Sequence, residues 1–260
     1  MSGGAGGRGA GSLRARLLAG ESLLGTFVGS RDPSGCELLG HLGFDLLCID
    51  SEHSAMGVET VERLVAATEH TPAAAIVRVA ANDEAAIASA LDTGATGVLV
   101  PRVESAEEVE HAISAARYPP LGRRGLGPGR ATRYGAEIPS YRARANDELL
   151  LAVQVETARA VESLSELLCV GGVDLYFIGP GDLGCSLQID DPRDPELRAI
   201  VASVIERTRA AGRTAGVFAA TPADAAHWRE LGAQLVLLGS DCSLLSQGVA
   251  AALSELATRS

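Results

Sequence analysis

"FDLLCIDSEHSAMGVETVERLVAATEHTPAAAIVRV", Phe44 to Val79, reads as one strand, one helix and a second strand. Residues 44–50 form an apolar run of buried-strand length that ends abruptly in Asp50, Ser51, Glu52 and His53. Residues 56–70 carry apolar side chains at spacings of three and four, the pattern of an amphipathic helix. A second apolar run then follows at 74–79. The same alternation extends over the chain, with further strands expected at 23–28, 97–101, 149–156, 173–179, 214–219 and 233–239, eight in all. Helical patterns at 82–94 and 105–118 carry Asn82 and Ser105 as expected N-caps and Gly94 as a C-terminal stop. Eight consecutive β/α units predict a single-domain α/β fold, a (β/α)8 TIM barrel, with an open doubly wound sheet as the competitor. Residues 1–15 are set aside as a Gly-rich tail and residues 16–260 as the barrel.

Composition narrows the function. A formal net charge of -11 disfavours a nucleic-acid partner, because polyanion binding needs basic surface to displace counterions. No apolar run is long enough to cross a bilayer, which argues against a membrane partner. The five cysteines are scattered without a CxxC pair, which speaks against structural zinc or a disulfide framework and suits a reducing, cytoplasmic compartment. All 22 basic residues are arginine. No Schiff-base lysine is therefore available, neither for a carbonyl substrate nor for pyridoxal phosphate (PLP), and a Walker-type phosphate loop is excluded as well.

A TIM barrel builds its active site at the C-terminal ends of its strands. The second strand delivers Asp50, Glu52 and His53 there, the third Arg78, and the fifth Gln154 and Glu156. The sixth leads through "FIGPGDLG" to Asp182. Glu156 and Asp182 would end adjacent strands. Two carboxylates at the mouth of an apolar barrel, without an imidazole cluster, suit a hard divalent cation better than zinc. The plainer reading is that each one caps the helix that follows. Arg78 is flanked by valines and needs an anion if it points inward; if outward, it is a surface residue. The amides of Gly181 and Asp182 could hold a small carboxylate or phosphate. The connection after Pro101 contains a helix and then about 30 residues rich in Pro, Gly and Arg, a length expected of a lid or an interface.

In order along the chain, "GFDLLCIDSEH", "IVRV" before "ND", "LDTGATGVLVPRV", "ARYPPLGRRGLG", "VQVET" and "FIGPGDL" resemble the HpcH/HpaI aldolase family, the metal-dependent pyruvate aldolases. The likeness runs from about Leu23 to Leu253. It implies a class II aldolase that reversibly cleaves a 4-hydroxy-2-oxo acid to pyruvate and an aldehyde through a metal-stabilised enolate. Glu156 and Asp182 match the family's ligands for Mg²⁺ or Mn²⁺, with Co²⁺ a further candidate, and Gln154 matches a residue beside them. Arg78 matches the arginine that holds the keto acid and its enolate, His53 the catalytic histidine, and Asp92 an aspartate that works with that histidine. Asp50 is implied to stand just outside the metal's own ligands. The resemblance also implies a homo-oligomer, trimer or hexamer, with the last helix, Leu244 to Leu256, exchanged between neighbours. Gly184 departs from the serine that family members often carry, removing a hydroxyl near the metal loop. The segments "VGSRDPSGCE" and "LGCSLQIDDPRDPE" also diverge, which leaves the aldehyde open. Competing expectations are a citrate-lyase-β or malyl-CoA-lyase-like enzyme, a decarboxylating biosynthetic enzyme like macrophomate synthase, and a binding module without catalysis.

Overall fold

In a computed structural model, which describes residues 12–258, all eight apolar runs form strands. They are β1 (Leu23–Val28), β2 (Leu46–Asp50), β3 (Ala74–Arg78), β4 (Gly97–Val100), β5 (Leu150–Val155), β6 (Leu175–Ile178), β7 (Ala215–Ala219) and β8 (Leu235–Ser240). Each pairs in parallel with the next, and β1 closes on β8. That last ladder excludes the open sheet. Early in the chain come α1 (Leu13–Leu18), α2 (Pro33–His41), α3 (Val58–Thr68), α4 (Glu84–Asp92), α5 (Ala106–Ala116) and α6 (Ile138–Glu148). Later come α7 (Ala158–Glu162), α8 (Leu164–Cys169), α9 (Pro180–Leu187), α10 (Pro195–Ala210), α11 (Pro222–Glu230) and α12 (Asp241–Thr258).

The strands read as unbroken apolar runs because both of their faces are covered. Leu23, Phe27, Leu46, Cys48, Ile76 and Leu99 belong to the cluster inside the barrel, and Leu47, Ile49, Val77, Val98 and Val153 to the layer under the helices. Leu13 and Leu17 of α1 join the interior cluster. This helix therefore starts inside the stretch set aside as tail, with Ser12 as its N-cap; residues 1–11 of that stretch lie outside the described residues. Ser105 caps α5 through a reciprocal capping box with Glu108. The cap of α4 is Asp83, not Asn82, which instead donates its side-chain amide to the Glu108 carbonyl. Among the described residues no helix is long and apolar enough to cross a membrane.

Helix direction decides what reaches the site. The helix α5 runs back from the C-terminal face, so the long segment between it and β5, α6 included, lies at the N-terminal end. There Arg124 stacks on Tyr118 and Tyr141, with its guanidinium carbon 4.8 and 5.6 Å from the ring centres, and pairs with Asp92 at 2.7 Å. The segment expected as a lid or an interface therefore cannot cover the mouth of its own barrel. The exception among the helices is α12, which leaves β8 with none of its residues buried. The Asp241 carboxylate fastens its start to the end of β1, accepting the Gly29 and Ser30 amides at 2.9 Å each.

Candidate active site

Asp50 and Arg78 are partners in the β2–β3 register, one at the end of each strand. Both side chains are buried. Arg78 donates Nε to Asp50 Oδ1 at 2.9 Å and Nη2 to Oδ2 at 2.6 Å, a bidentate fork. Its guanidinium carbon lies 4.5 Å from the centre of the Phe27 ring, inside the barrel. The sequence left the direction of Arg78 open; it points inward and finds its anion. Asp50 Oδ1 also accepts the amides of Glu52 and His53, which folds the loop after β2 back over the strand ends. Burial alone would raise the Asp50 carboxyl, but the hydrogen bonds and charge of Arg78 outweigh it and hold it below the usual carboxylate range. Asp50 is thus the buttress of Arg78. Glu52, whose purpose the sequence did not disclose, brackets the same guanidinium at 3.3 Å and lies 3.8 Å from His53 Nε2.

Across the barrel mouth, Gln154 is buried in β5 and Glu156 directly follows that strand. Glu156 does not cap α7. Thr157 does, accepting the Ala160 amide, and this leaves the Glu156 carboxylate to the site. Glu156 Oε1 accepts the Arg102 amide at 2.7 Å, and Oε2 meets the side-chain amide of Gln154. Burial pushes the Glu156 carboxyl up to about 7; the Arg102 amide opposes this, while the Glu52 and Asp182 charges add to it. Gly179 stands against this pair, since a Cβ there would lie 2.7 Å from Gln154 Nε2 and 3.1 Å from Glu156 Oε2. Asp182 lies in the first turn of α9, whose N-cap Gly179 offers no side-chain hydrogen bond. Its charge suits the positive end of that helix.

Most of these groups border one cavity of about 230 Å³, with Glu156 set behind its wall against Gln154 and Gly179. Asp50, His53, Arg78, Gln154, Gly181 and Asp182 line it, together with Gly179, Pro180 and Ser240. Its apolar wall is Phe27, Phe177 and Phe218, with ring centres 6.2 and 6.1 Å from Phe27. The sequence reading named neither the aromatic wall nor Gly179 or Ser240. Three isolated phenylalanines in separate strands give no signal until the barrel closes.

Two expectations change. Asp92 ends α4 at the opposite face, roughly 15 Å of strand away from His53, and its carboxylate is held by Arg124. Within one chain the two do not meet. Gly184 does not open toward the metal loop either. A Cβ there would stand 2.8 Å from the Ile189 carbonyl and 3.3 Å from Leu197, on the side facing α10. Glycine is what allows that turn to close, so the missing serine hydroxyl takes nothing from the cavity.

The donor set suits a hard divalent cation. Glu156 and Asp182 would supply anionic oxygens, and the buried Gln154 Oε1 has no hydrogen-bond partner, which would leave an acceptor for a coordinated water. Among the described residues no group of three or more His, Cys, Asp or Glu gathers to hold a metal, at this site or any other, so a cation here would rest on two carboxylates and water.

Comparison with known proteins identifies the family. The family model described as HpcH/HpaI aldolase/citrate lyase matches residues 23–248. A 4-hydroxy-2-oxo-heptane-1,7-dioate aldolase of Salmonella heidelberg (strain SL476) is 40% identical over 238 residues, 90% of each chain. The crystal structure of an HpcH/HpaI aldolase/citrate lyase family protein from Burkholderia cenocepacia J2315 superposes with a TM-score of 0.90 at 35% identity, covering 95% of this chain and 99% of the other. A citrate synthase structure follows at 0.86 and 31%, covering 95% and 98%. Macrophomate synthase, at 23% identity, and the citrate lyase β subunit of Mycobacterium tuberculosis, at 18%, share the fold alone. The chain belongs to the HpcH/HpaI aldolase/citrate lyase family.

Proposed function

We propose that this chain is a divalent-metal-dependent carbon–carbon lyase that reversibly cleaves a 4-hydroxy-2-oxo acid into pyruvate and an aldehyde. The observation that carries this reading is the inward, doubly buttressed Arg78, which shares one small cavity with Asp182 and with Gln154, the residue bonded to Glu156. Glu156 and Asp182 would hold Mg²⁺, Mn²⁺ or Co²⁺, and the cation supplies Lewis acidity for enolate formation when bound. Arg78 donates to the developing oxyanion, its fork held by Asp50 and its second face by Glu52. Gln154 and Gly179 hold the Glu156 carboxylate in place. His53, half exposed at the rim, takes the C4 hydroxyl proton and returns it in the synthetic direction. The three phenylalanines wall off water beside the carbon that becomes the enolate.

A panel of aldehydes offered with pyruvate and Mg²⁺ or Mn²⁺, with the products identified by mass, tests this reading. Condensation to 4-hydroxy-2-oxo acids, lost on chelation and restored by metal, is expected. Turnover of acyl-CoA substrates with none of pyruvate would favour the citrate-lyase-like reading instead.

Assembly belongs to the same proposal. Leu245, Val249 and Leu253 recur at four-residue spacing on α12 and are 50–70% exposed. An apolar stripe on a helix that does not return to its own barrel suits exchange between copies. Asp92 can serve a histidine such as His53 only across a contact between two chains, which agrees with a trimer or hexamer. Light scattering should give a mass of three or six times the 26.7 kDa chain, and Leu253→Asp should lower it. A monomer in the unsubstituted protein would refute the assembly. Five free cysteines accord with a cytoplasmic location.

A further inference from the structure

Arg102 holds a backbone conformation that non-glycine residues rarely adopt, with φ +54°. Of the four such residues among those described, Arg133, Tyr134 and Gln188 lie in turns after helical segments. Arg102 instead follows Pro101 at the end of β4, on the rim of the site. Its side chain does not explain the conformation: it is exposed and makes no hydrogen bond or ion pair among the described residues.

The explanation lies in the two groups on either side of its Cα. On one side the Arg102 amide donates to Glu156 Oε1 at 2.7 Å. On the other, Val103 is fully buried in the layer under the helices, and Glu104 beyond it accepts the Thr157 hydroxyl at 2.7 Å. Both ends of the turn are therefore fastened. Rotating φ to an ordinary negative value would either pull Val103 out of the core or swing the amide away from Glu156. Glu156 needs this donor, because its other oxygen has only the Gln154 side chain and the carboxylates of Glu52 and Asp182 lie nearby.

We infer that the left-handed turn at Arg102 is a positioning device, which spends backbone strain to aim one amide at Glu156 and present that carboxylate to the cation before the cation arrives. This rests on the reading of Glu156 as a metal ligand. The amide and its torsion are what matter, and the arginine side chain is dispensable for metal binding.

Titration calorimetry of Mg²⁺ or Mn²⁺ into the exhaustively chelated full-length protein tests it, with thermal melting run in parallel to check the fold. Arg102→Gly, which adopts positive φ freely and keeps the amide, should bind within about twofold of the unsubstituted protein. Arg102→Val, whose β-branched side chain resists that region, should bind about tenfold more weakly or worse. An amide-to-ester replacement at position 102 removes the donor and leaves the side chain, and should weaken binding to the same extent; it decides the matter if the valine variant fails to fold. Valine and ester variants that bind as tightly as the unsubstituted protein would overturn the inference, as would a glycine variant as weak as valine. Absence of binding by the unsubstituted protein would overturn the metal assignment itself, a separate outcome.

Discussion

Glu156→Gln should abolish metal-dependent pyruvate release and, in the metal-free protein, raise the melting temperature above pH 7. The two effects share one cause. Burial at the barrel mouth, near Glu52 and Asp182, lifts the Glu156 carboxyl from 4.5 to about 7. Between those values the native state binds a proton that the unfolded chain has released, so metal-free stability falls as pH rises from 4.5 to 7 and stays lowered above it. The span corresponds to about 3 kcal/mol. Glutamine cannot ionise and escapes that loss. The cation competes with the same proton, so metal affinity of the unsubstituted protein should fall about tenfold for each pH unit below 7. A pyruvate-release assay, calorimetry across pH 5–9 and melting curves with and without chelator read all three quantities. Full parental activity in the glutamine variant after exhaustive chelation would sink the metal mechanism, and a melting profile unchanged by the substitution would show that Glu156 is not strained by burial.

Much of this site was legible in the sequence because a parallel barrel converts chain order into geometry. A polar residue that ends an apolar strand can only emerge at the C-terminal rim, so Asp50, Arg78, Gln154, Glu156 and Asp182 could be gathered before any coordinates. Partnership was harder to read. From sequence, Asp50 is expected just outside the metal's own ligands and Glu52 has no assigned role, and only the β2–β3 register, which sets Asp50 beside Arg78, shows which one makes the fork. Asp92 ends an α-helix, and helices return to the far face, so its distance from His53 follows from direction and not from motif. Asn82 and Asp83 are both good caps, and the sequence pattern does not choose between neighbours. Contacts made by backbone alone, such as the Arg102 amide on Glu156, leave no trace in residue type. The close approach at Gly179 is hidden for the same reason, because a glycine in a GPG turn looks like any other turn glycine.

Arg78→Ala should lower kcat by roughly 10²- to 10³-fold, the range found when a preorganised oxyanion donor is removed, with little change in the KM of the aldehyde. In the cleavage direction the charge that Arg78 meets develops on the pyruvate half as the bond breaks. Its loss therefore falls on the transition state more than on recognition of the leaving aldehyde. The substitution also removes the anchor of two buried acids. Asp50 would lose the fork that does most to hold its carboxyl down and keep only the Glu52 and His53 amides, and Glu52, already raised by burial despite Arg78 and His53, would rise further. The stability cost should be a few kcal/mol, as for other buried pairs left with one partner. Arg78→Lys separates the two roles, because it keeps the charge near Asp50 but cannot make the fork. It should recover most of the melting temperature and only part of kcat. If Arg78→Ala instead left kcat intact and raised only the aldehyde KM, the arginine would be a recognition element for the aldehyde, and the enolate would have to be stabilised by other groups in the cavity.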